Sequence, residues 1–354
     1  MVISKRKCVQ FAFLVIVLFI GIRFYQFISL IEAGIIPDFE RPPGVEAFLP
    51  IGALVSFKYF LFTGIINNIH PSGLVLFLII CLTGIIAKKS FCGWVCPFGL
   101  FSDFFTKIHK KIFKNGFFIP PWLDLILRSL KYIFAGFFLY TIFVRMPISS
   151  IERFINSSYN RFSDLKMLQL FTNISGTTVT VIATLLVLSV IIRNLWCRYL
   201  CPYGALLAII SFFSFGKIIR EPANCTDCGK CEKECPGFIK IREKKGVNST
   251  ECIACLKCVD TCPEKKAIGF SYFSGRFTMS STSMAIFIVL VFSVGIIIAK
   301  LSDHWQNNIS KQEYQYFLKT SKSQAGPVEK MSPEKMKKMM QLMKARKKVV
   351  KPET

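Results

Sequence analysis

Five stretches of this chain are apolar over lengths that only a membrane or a deeply buried core can accommodate. They run at about 9–31, 71–87, 123–144, 177–195 and 281–300. A helix needs about 17–25 residues to cross a hydrocarbon core of about 30 Å. The composition agrees: 52% of the 354 residues are hydrophobic and only 19% are charged, yet the formal charge is +24. Soluble domains average about 25% charged residues. A basic protein that coats nucleic acid should be less apolar, and a secreted disulfide scaffold should be shorter. Apolar spans joined by Lys-rich loops satisfy both facts.

The first span follows Lys5-Arg6-Lys7 and lacks a small-residue cleavage site after its apolar run, so it reads as an uncleaved anchor. Arg23 inside it must reach an interface or face protein. The stretch 48–66 is apolar too, but it contains Pro50 and Lys58. Parity decides its role. The loop after 71–87 carries Lys88, Lys89, Lys107, Lys110, Lys111 and Lys114, whereas 145–176 carries Arg145, Arg153, Arg161 and Lys166. The positive-inside rule places the Lys-rich loop and the N-terminus together in the cytoplasm. An even number of crossings must separate them, so 48–66 is expected to be re-entrant or interfacial. The order is then N-terminus in, 32–70 out, 88–122 in, 145–176 out, 196–280 in, and the tail 301–354 outside. That tail opposes the rule, with twelve Lys and Arg against five acids.

Cysteine supplies the chemistry: fourteen Cys stand against three His. Cys225, Cys228, Cys231 and Cys235 precede Pro236, and Cys252, Cys255, Cys258 and Cys262 precede Pro263. Both runs spell C-x2-C-x2-C-x3-C-P, the spacing of bacterial two-cluster ferredoxins. Three thiolates in one tight loop can cap three corners of a cubane. The fourth cannot reach round its own loop, so it serves the other cluster. The expected [4Fe-4S] ligand sets are therefore Cys225, Cys228, Cys231 and Cys262, and Cys252, Cys255, Cys258 and Cys235. Small residues Gly229 and Ala254 lie where backbone N–H groups must approach the sulfides. Zinc also takes four thiolates, but the doubled run with both prolines is not a zinc pattern.

Four more Cys form an internal repeat, Cys92-x3-Cys96-Pro97 and Cys197-x3-Cys201-Pro202, each after an apolar span that ends on the same side. Two alternatives are open: the four thiols share a third Fe–S cluster, or they are structural or redox-active thiols at helix ends. Cys8 and Cys81 read as packing residues. Eight ordered thiolates need a reducing compartment, which agrees with the cytoplasmic placement from charge.

No C-x2-C-H occurs, and His70, His109 and His304 lie near span ends or in loops, so no haem is expected. Ser175-Gly176-Thr177-Thr178 is faintly like an FMN attachment site but reads as a helix cap. In the tail, Met336, Met339, Met340 and Met343 lie at helical spacing among lysines, after Ser332-Pro333. This suits an amphipathic helix on anionic lipid or a partner, with copper binding the lesser alternative.

The cysteine motifs, together with the apolar spans, resemble the NapH-type membrane ferredoxins, whose relatives include the membrane portion of NosR-type proteins and YccM-type electron-transport proteins. The segments 41–50, Arg-Pro-Pro-Gly-Val-Glu-Ala-Phe-Leu-Pro, and 303–306, Asp-His-Trp-Gln, are similar to the YccM-like branch. The resemblance covers about residues 1–320. With the spans above, the chain is expected to be an α-helical polytopic membrane protein of about five transmembrane helices plus one re-entrant helix, carrying an inserted cytoplasmic 2[4Fe-4S] ferredoxin module; the fifth span and the basic tail depart from NapH and speak against a nitrate-reductase partner. The expected division is 1–145 and 146–216 in the membrane, each with one C-x3-C-P motif. The ferredoxin module follows at 217–272, the last helix at 281–300 and the basic tail at 301–354. The resemblance further implies a bacterial inner-membrane electron-transfer protein, a candidate quinol dehydrogenase, with the quinone pool and a redox protein as partners and no nucleic acid. An assembly reductase or a redox sensor is the alternative. Glu46 and His70 are candidates for handling quinone protons, although pairing of Glu46 with Arg41 and capping of the 71–87 helix by His70 are the favoured readings. Trp94, Phe98 and Tyr203 are candidates to flank a quinone ring.

Overall fold

The computed structural model describes residues 4–113, 119–264, 266–272 and 277–324. The chain forms two compact units. The larger holds the chain up to Ile28 and Phe39–Asn308; the smaller holds Ser29–Asp38 and the tail from Ile309. The Met336–Met343 stripe lies outside the described residues.

Helices form at all five apolar stretches: α1 (Lys5–Glu32), α3 (Pro71–Ala87), α5 (Pro121–Tyr140), α7 (Gly176–Ile191) and α9 (Ser281–Leu301), with α2 (Pro50–Thr63) between the first two. By length and composition three can cross a membrane alone: Lys5–Glu32, Pro121–Arg145 and Ser281–Leu301. A fourth crossing is reached only if α6 (Ser163–Thr172) and α7 are taken together, and they are bent by 82°. α3 has 17 residues. The expected span 177–195 is cut short because Ile192 is extended and Asn194 takes φ 58°. α7 starts at Ser175, whose Oγ accepts from the Thr178 N–H at 3.2 Å; the Ser-Gly-Thr-Thr run is a helix cap. Arg23 lies over the Phe39 ring at 3.8 Å, satisfied within the protein.

Contacts within the larger unit sort its loops to two ends of the helix bundle. At one end the starts of α1 and α9 meet the cysteine module: Lys5 Nζ donates to Thr282 Oγ1, and Ser281 Oγ donates to Asp260 Oδ1 at 2.7 Å. At the other end Arg41 Nε bonds Asp164 Oδ2 at 2.6 Å, and Arg41 Nη1 bonds Glu46 Oε1 at 2.8 Å. His70 Nδ1 lies 3.2 Å from that same oxygen. Glu46 Oε2 accepts from the Gly73 N–H at 2.9 Å and from Ser72 Oγ, so the carboxylate caps the start of α3. His70 is the residue before α3, but its ring Nε2 instead reaches the Asn160 carbonyl at 2.7 Å.

The α2 segment begins beside Glu46 and ends at His70, so it leaves from and returns to one end of the bundle. Lys58 in its middle is buried. Its ammonium donates to the carbonyls of Ile142, Phe143 and Met146 at 3.0, 3.1 and 2.6 Å. These carbonyls close the π-helical turn Thr141–Arg145 that extends α5. A cation satisfying the C-terminal carbonyls of a helix is electrostatically favourable, and here it resolves an otherwise costly buried charge.

The cysteine module is a small sheet flanked by loops. β1 (Gly216–Arg220), β2 (Gly246–Val247), β3 (Ile268–Tyr272) and β4 (Phe277–Met279) pair antiparallel in the order β2-β1-β3-β4. Ile218 opposes Phe270 and Val247, and all three are buried. The sheet begins at the bundle, where the Phe215 N–H bonds the Ile85 carbonyl at 3.0 Å. In the smaller unit, α10 (Lys311–Gln324) begins with Lys311, whose Nζ reaches the Pro37 carbonyl at 3.1 Å.

Glu46 is fully buried. Burial alone would raise its pKa, but Arg41, His70 and Ser72 outweigh that and hold it below the ordinary range. Removing one partner of a buried ion pair costs about 3–5 kcal/mol. Arg41→Leu should therefore lower the thermal midpoint of the purified protein in detergent at neutral pH. A depressed carboxyl contributes above its unfolded pKa and loses that contribution as pH falls through its folded pKa. The gap between variant and wild type should thus narrow on acidification below about pH 4. Equal midpoints at neutral pH would contradict the structural role of this cluster.

Candidate iron–sulfur centres

The two C-x2-C-x2-C-x3-C-P runs fold with the same backbone. In each, the residue before the second Cys has positive φ, Asp227 at 53° and Ala254 at 45°. The residue after it does too, Gly229 at 72° and Leu256 at 57°. A one-turn helix follows, Lys230–Lys233 or Lys257–Asp260, and carries the third Cys. Alternating left-handed residues turn successive N–H groups inward and make an anion nest. Leucine holds that conformation only because Leu256 is locked in the core, 1% exposed.

The eight thiols line two separate cavities. Cys225, Cys228, Cys231 and Cys262 line one of about 360 Å³, together with Arg220, Lys230 and Arg242. Cys235, Cys252, Cys255 and Cys258 line another of about 370 Å³, together with Ile218, Ile241 and Val247. In both, the fourth Cys of one run joins three from the other. Four thiols are the donor set of a [4Fe-4S] cluster. Among the described residues no three Cys, His, Asp or Glu converge closely enough for one metal ion. A cluster suits that spread, since its thiolates bind different irons.

The C-x3-C-P motifs end where the apolar helices end. Cys96 and Cys201 are the N-caps of α4 (Pro97–Ile112) and α8 (Pro202–Phe212), with Pro at the first helical position of each. Both loops close by a wide turn, Cys96 N–H to Phe91 O at 3.0 Å and Cys201 N–H to Trp196 O at 2.9 Å. The Gly204 N–H points at Cys201 Sγ at 3.3 Å. Burial raises the pKa of Cys96 and Cys201; helix N–H groups partly counter this, leaving Cys96 at about 11. Burial raises Cys92 and Cys197 further, and the other thiols add to it. The four are thus mutual neighbours.

These loops grip the inner cavity directly. A Cβ on Gly93 would fall 2.4 Å from the Ile253 carbonyl oxygen, so only glycine lets the backbones approach. The Trp94 indole, wholly buried, donates to the Ala254 carbonyl at 2.9 Å. In the second repeat Arg198 takes the place of Gly93. Its guanidinium donates to the Gly237 carbonyl at 2.9 Å and forms two 2.8 Å bonds with Asp124. Arg6 and Gln10 of α1 donate to the Gly93 carbonyl from behind, at 2.7 and 3.0 Å. Asp103 joins Arg6 to Lys257 at 2.8 Å each.

A third cavity, about 460 Å³, separates Cys92 and Cys197 from Pro236, Glu251 and Ile253, with Lys89 and Arg198 in its wall. Glu251 is chelated by Lys131 at 2.7 and 2.9 Å, with Lys89 at 3.7 Å. Burial alone would raise its pKa; Lys89 and Lys131 pull it down to about 2. Lys89 partly offsets the rise at Cys92 and Cys197, but burial outweighs it and both thiols stay raised. The spacing pointed to the thiols; Trp94 and Arg198 lie inside the C-x3-C motifs, but their grip on Ala254 and Gly237 is not part of that spacing.

Of the other candidates, Glu46 and His70 line none of these cavities and belong to the buried ion cluster. Trp94 is committed to Ala254, Phe98 stacks on Trp196 at 5.9 Å, and Tyr203 lies 6.2 Å from both Phe77 and Phe91.

Comparison with known proteins agrees with this geometry. A 4Fe-4S binding domain family matches twice, over residues 69–116 and 175–220, one copy for each C-x3-C-P motif. A 4Fe-4S dicluster domain family matches residues 217–263. The chain is thus an iron–sulfur protein of the ferredoxin class. It is 34% identical to the putative electron transport protein YccM of Escherichia coli K12 over 88% of this chain and 89% of that one. It is 31% identical to an uncharacterised protein of Methanocaldococcus jannaschii, over 65% and 83%. It is 26% identical to the ferredoxin-type protein NapH of Haemophilus influenzae, over 53% and 64%. The chain belongs to the NapH/YccM-type 4Fe-4S ferredoxin family, to which NosR is related. No solved structure matches it significantly.

Trp94→Phe keeps the ring and removes the donor, orphaning the buried Ala254 carbonyl at a cost of about 1–3 kcal/mol. Hydrogen exchange of the amides at 252–256 should accelerate, while that of the core of α1 stays constant. Unchanged exchange at 252–256 would refute the grip.

Proposed function

We propose that this chain is an electron-transfer protein of the bacterial inner membrane that exchanges electrons between the quinone pool and a partner redox enzyme, as a quinol dehydrogenase subunit. The observation that carries the proposal is the sorting of eight thiols into two four-thiol cavities, with a third thiol quartet gripping the inner one where the apolar helices end. When bound, the clusters supply reversible one-electron transfer. Cys225, Cys228, Cys231 and Cys262 would hold one cluster, and Cys235, Cys252, Cys255 and Cys258 the second. Cys92, Cys96, Cys197 and Cys201 would hold a third.

The chain's own residues prepare these places. Helix N–H groups aim at Cys96 and Cys201, and Lys89 and Lys131 offset negative charge. In this proposal the Lys-rich end with the thiols faces the cytoplasm, and the Arg41–Asp164 end faces outward. Span 48–66 then stays on the outer side as a re-entrant segment, as its shared flanks suggest. The thiols stand at the inner membrane surface, within reach of a lipid-soluble quinone.

Anaerobically purified protein should carry about twelve iron and twelve sulfide per chain, and about eight of each in the double variant Cys92→Ser/Cys197→Ser. Menaquinol added to membranes should change the EPR signals of the clusters. Eight iron in the wild type would remove the third centre, and no EPR response at any poise would remove the quinone.

A further inference from the structure

We infer that the exposed rim of the outer cavity docks a small, acidic, one-electron carrier protein. The inference rests on the proposal that the cavities hold clusters, and it gives the soluble partner a chemical class and a landing site.

The two cavities differ in access. Cys252, Cys255 and Cys258 are each 8% exposed, whereas Cys228 is exposed. Gly93, Trp94 and Arg198 pack the bundle against Ile253, Ala254 and Gly237 in the wall of the inner cavity. Exchange with a soluble partner must therefore begin at the outer one.

Lys230 and Arg242 line that cavity, and the helix Lys230–Lys233 and the turn 240–245 that carry them form its surroundings, tied together by Arg242. Its Nε lies 3.2 Å from Glu232 Oε2, and its backbone N–H donates to Glu232 Oε1 at 2.8 Å. The acids from Asp227 to Glu243 are matched, Asp227 and Glu232 by Arg242, Glu234 by Lys110, and Glu243 by Lys240, while the exposed Glu221 and Glu264 at the edge form no ion pair among the described residues. Lys230, Lys233, Lys244 and Lys245 are exposed and form no ion pair among the described residues. The surplus beside the most accessible thiol is positive. Charge of one sign beside a reactive centre steers oppositely charged partners.

β1 leaves the bundle at Phe215 and ends at Arg220, which lines the outer cavity and donates its N–H to the Lys245 carbonyl at 2.7 Å. Four strand steps of about 3.3 Å place the rim up to about 13 Å along β1 from where it leaves the bundle. An acidic protein can reach it there. Electron-transfer encounters are small interfaces, often below about 1,200 Å², and a rim of four lysines suits that scale. In the encounter one electron leaves the reduced carrier and enters the outer centre; no bond forms or breaks and no proton moves.

The test uses the full-length protein in detergent, loaded with iron and sulfide, and reduced flavodoxin as the acidic probe. Stopped-flow bleaching of the cluster absorbance should slow about tenfold or more between about 50 and 500 mM salt. The triple variant Lys233→Glu/Lys244→Glu/Lys245→Glu should slow it about tenfold at low salt. Reduction of that variant by the small methyl viologen radical cation should proceed at least as fast as in wild type. A flavodoxin rate indifferent to both salt and charge reversal would overturn the docking site. So would loss of binding to phosphatidylglycerol vesicles in the variant with its flavodoxin rate unchanged, which would mark a lipid surface. Wild-type protein without cluster absorbance would instead defeat the underlying proposal.

Discussion

The close approach of two backbones at Gly93 sets the rest of the arrangement. Because no Cβ intervenes, the first C-x3-C loop lies directly on the Ile253 carbonyl, and Trp94 fixes it there through Ala254. The second loop reaches the other side of the same cavity through Arg198 and Gly237. An internal repeat at the helix ends thus holds the inner thiol set from two sides. Without that grip the module would be a ferredoxin on a tether, and distance would control any exchange of electrons with the membrane.

Buried charge secures both ends of the larger unit. At the thiol end, Glu251 balances Lys89 and Lys131, and Asp103 links Arg6 to Lys257. At the opposite end, Arg41 bonds both Glu46 and Asp164, the latter 123 residues further along the chain. Such pairs contribute little net stability over an apolar core, but losing one member is severe. They fix which segments meet, and so which loops share an end of the bundle.

Much of this was legible in the sequence for a physical reason. Cysteine spacing reports what one tight loop can and cannot reach, and the cavities group the thiols in the same crossed sets, whose role as cluster ligands is a proposal. Apolar runs likewise report helices, and all five stretches form them. Their ends are less legible: α7 stops at Ile191 because of the backbone at Ile192 and Asn194, which hydropathy does not register. Lys58 looked like an obstacle to burial, and its three carbonyl partners lie 84–88 residues away. Trp94 reads in the sequence as a quinone contact, and Arg198 and Glu251 do not read as site residues at all, because their partners come from distant segments that no spacing announces. His70 shows the same limit, since its position before α3 suggested a cap that Glu46 supplies instead.

The crossed pairing of the fourth cysteines is the central claim, and single-ligand variants test it. With wild-type EPR signals assigned by Cys225→Ser and Cys252→Ser, Cys262→Ser should disturb the Cys225 signal and leave the Cys252 signal intact. Cys235→Ser should do the reverse. If Cys262→Ser instead disturbs the Cys252 signal alone, each run holds its own cluster and the crossed assignment is wrong.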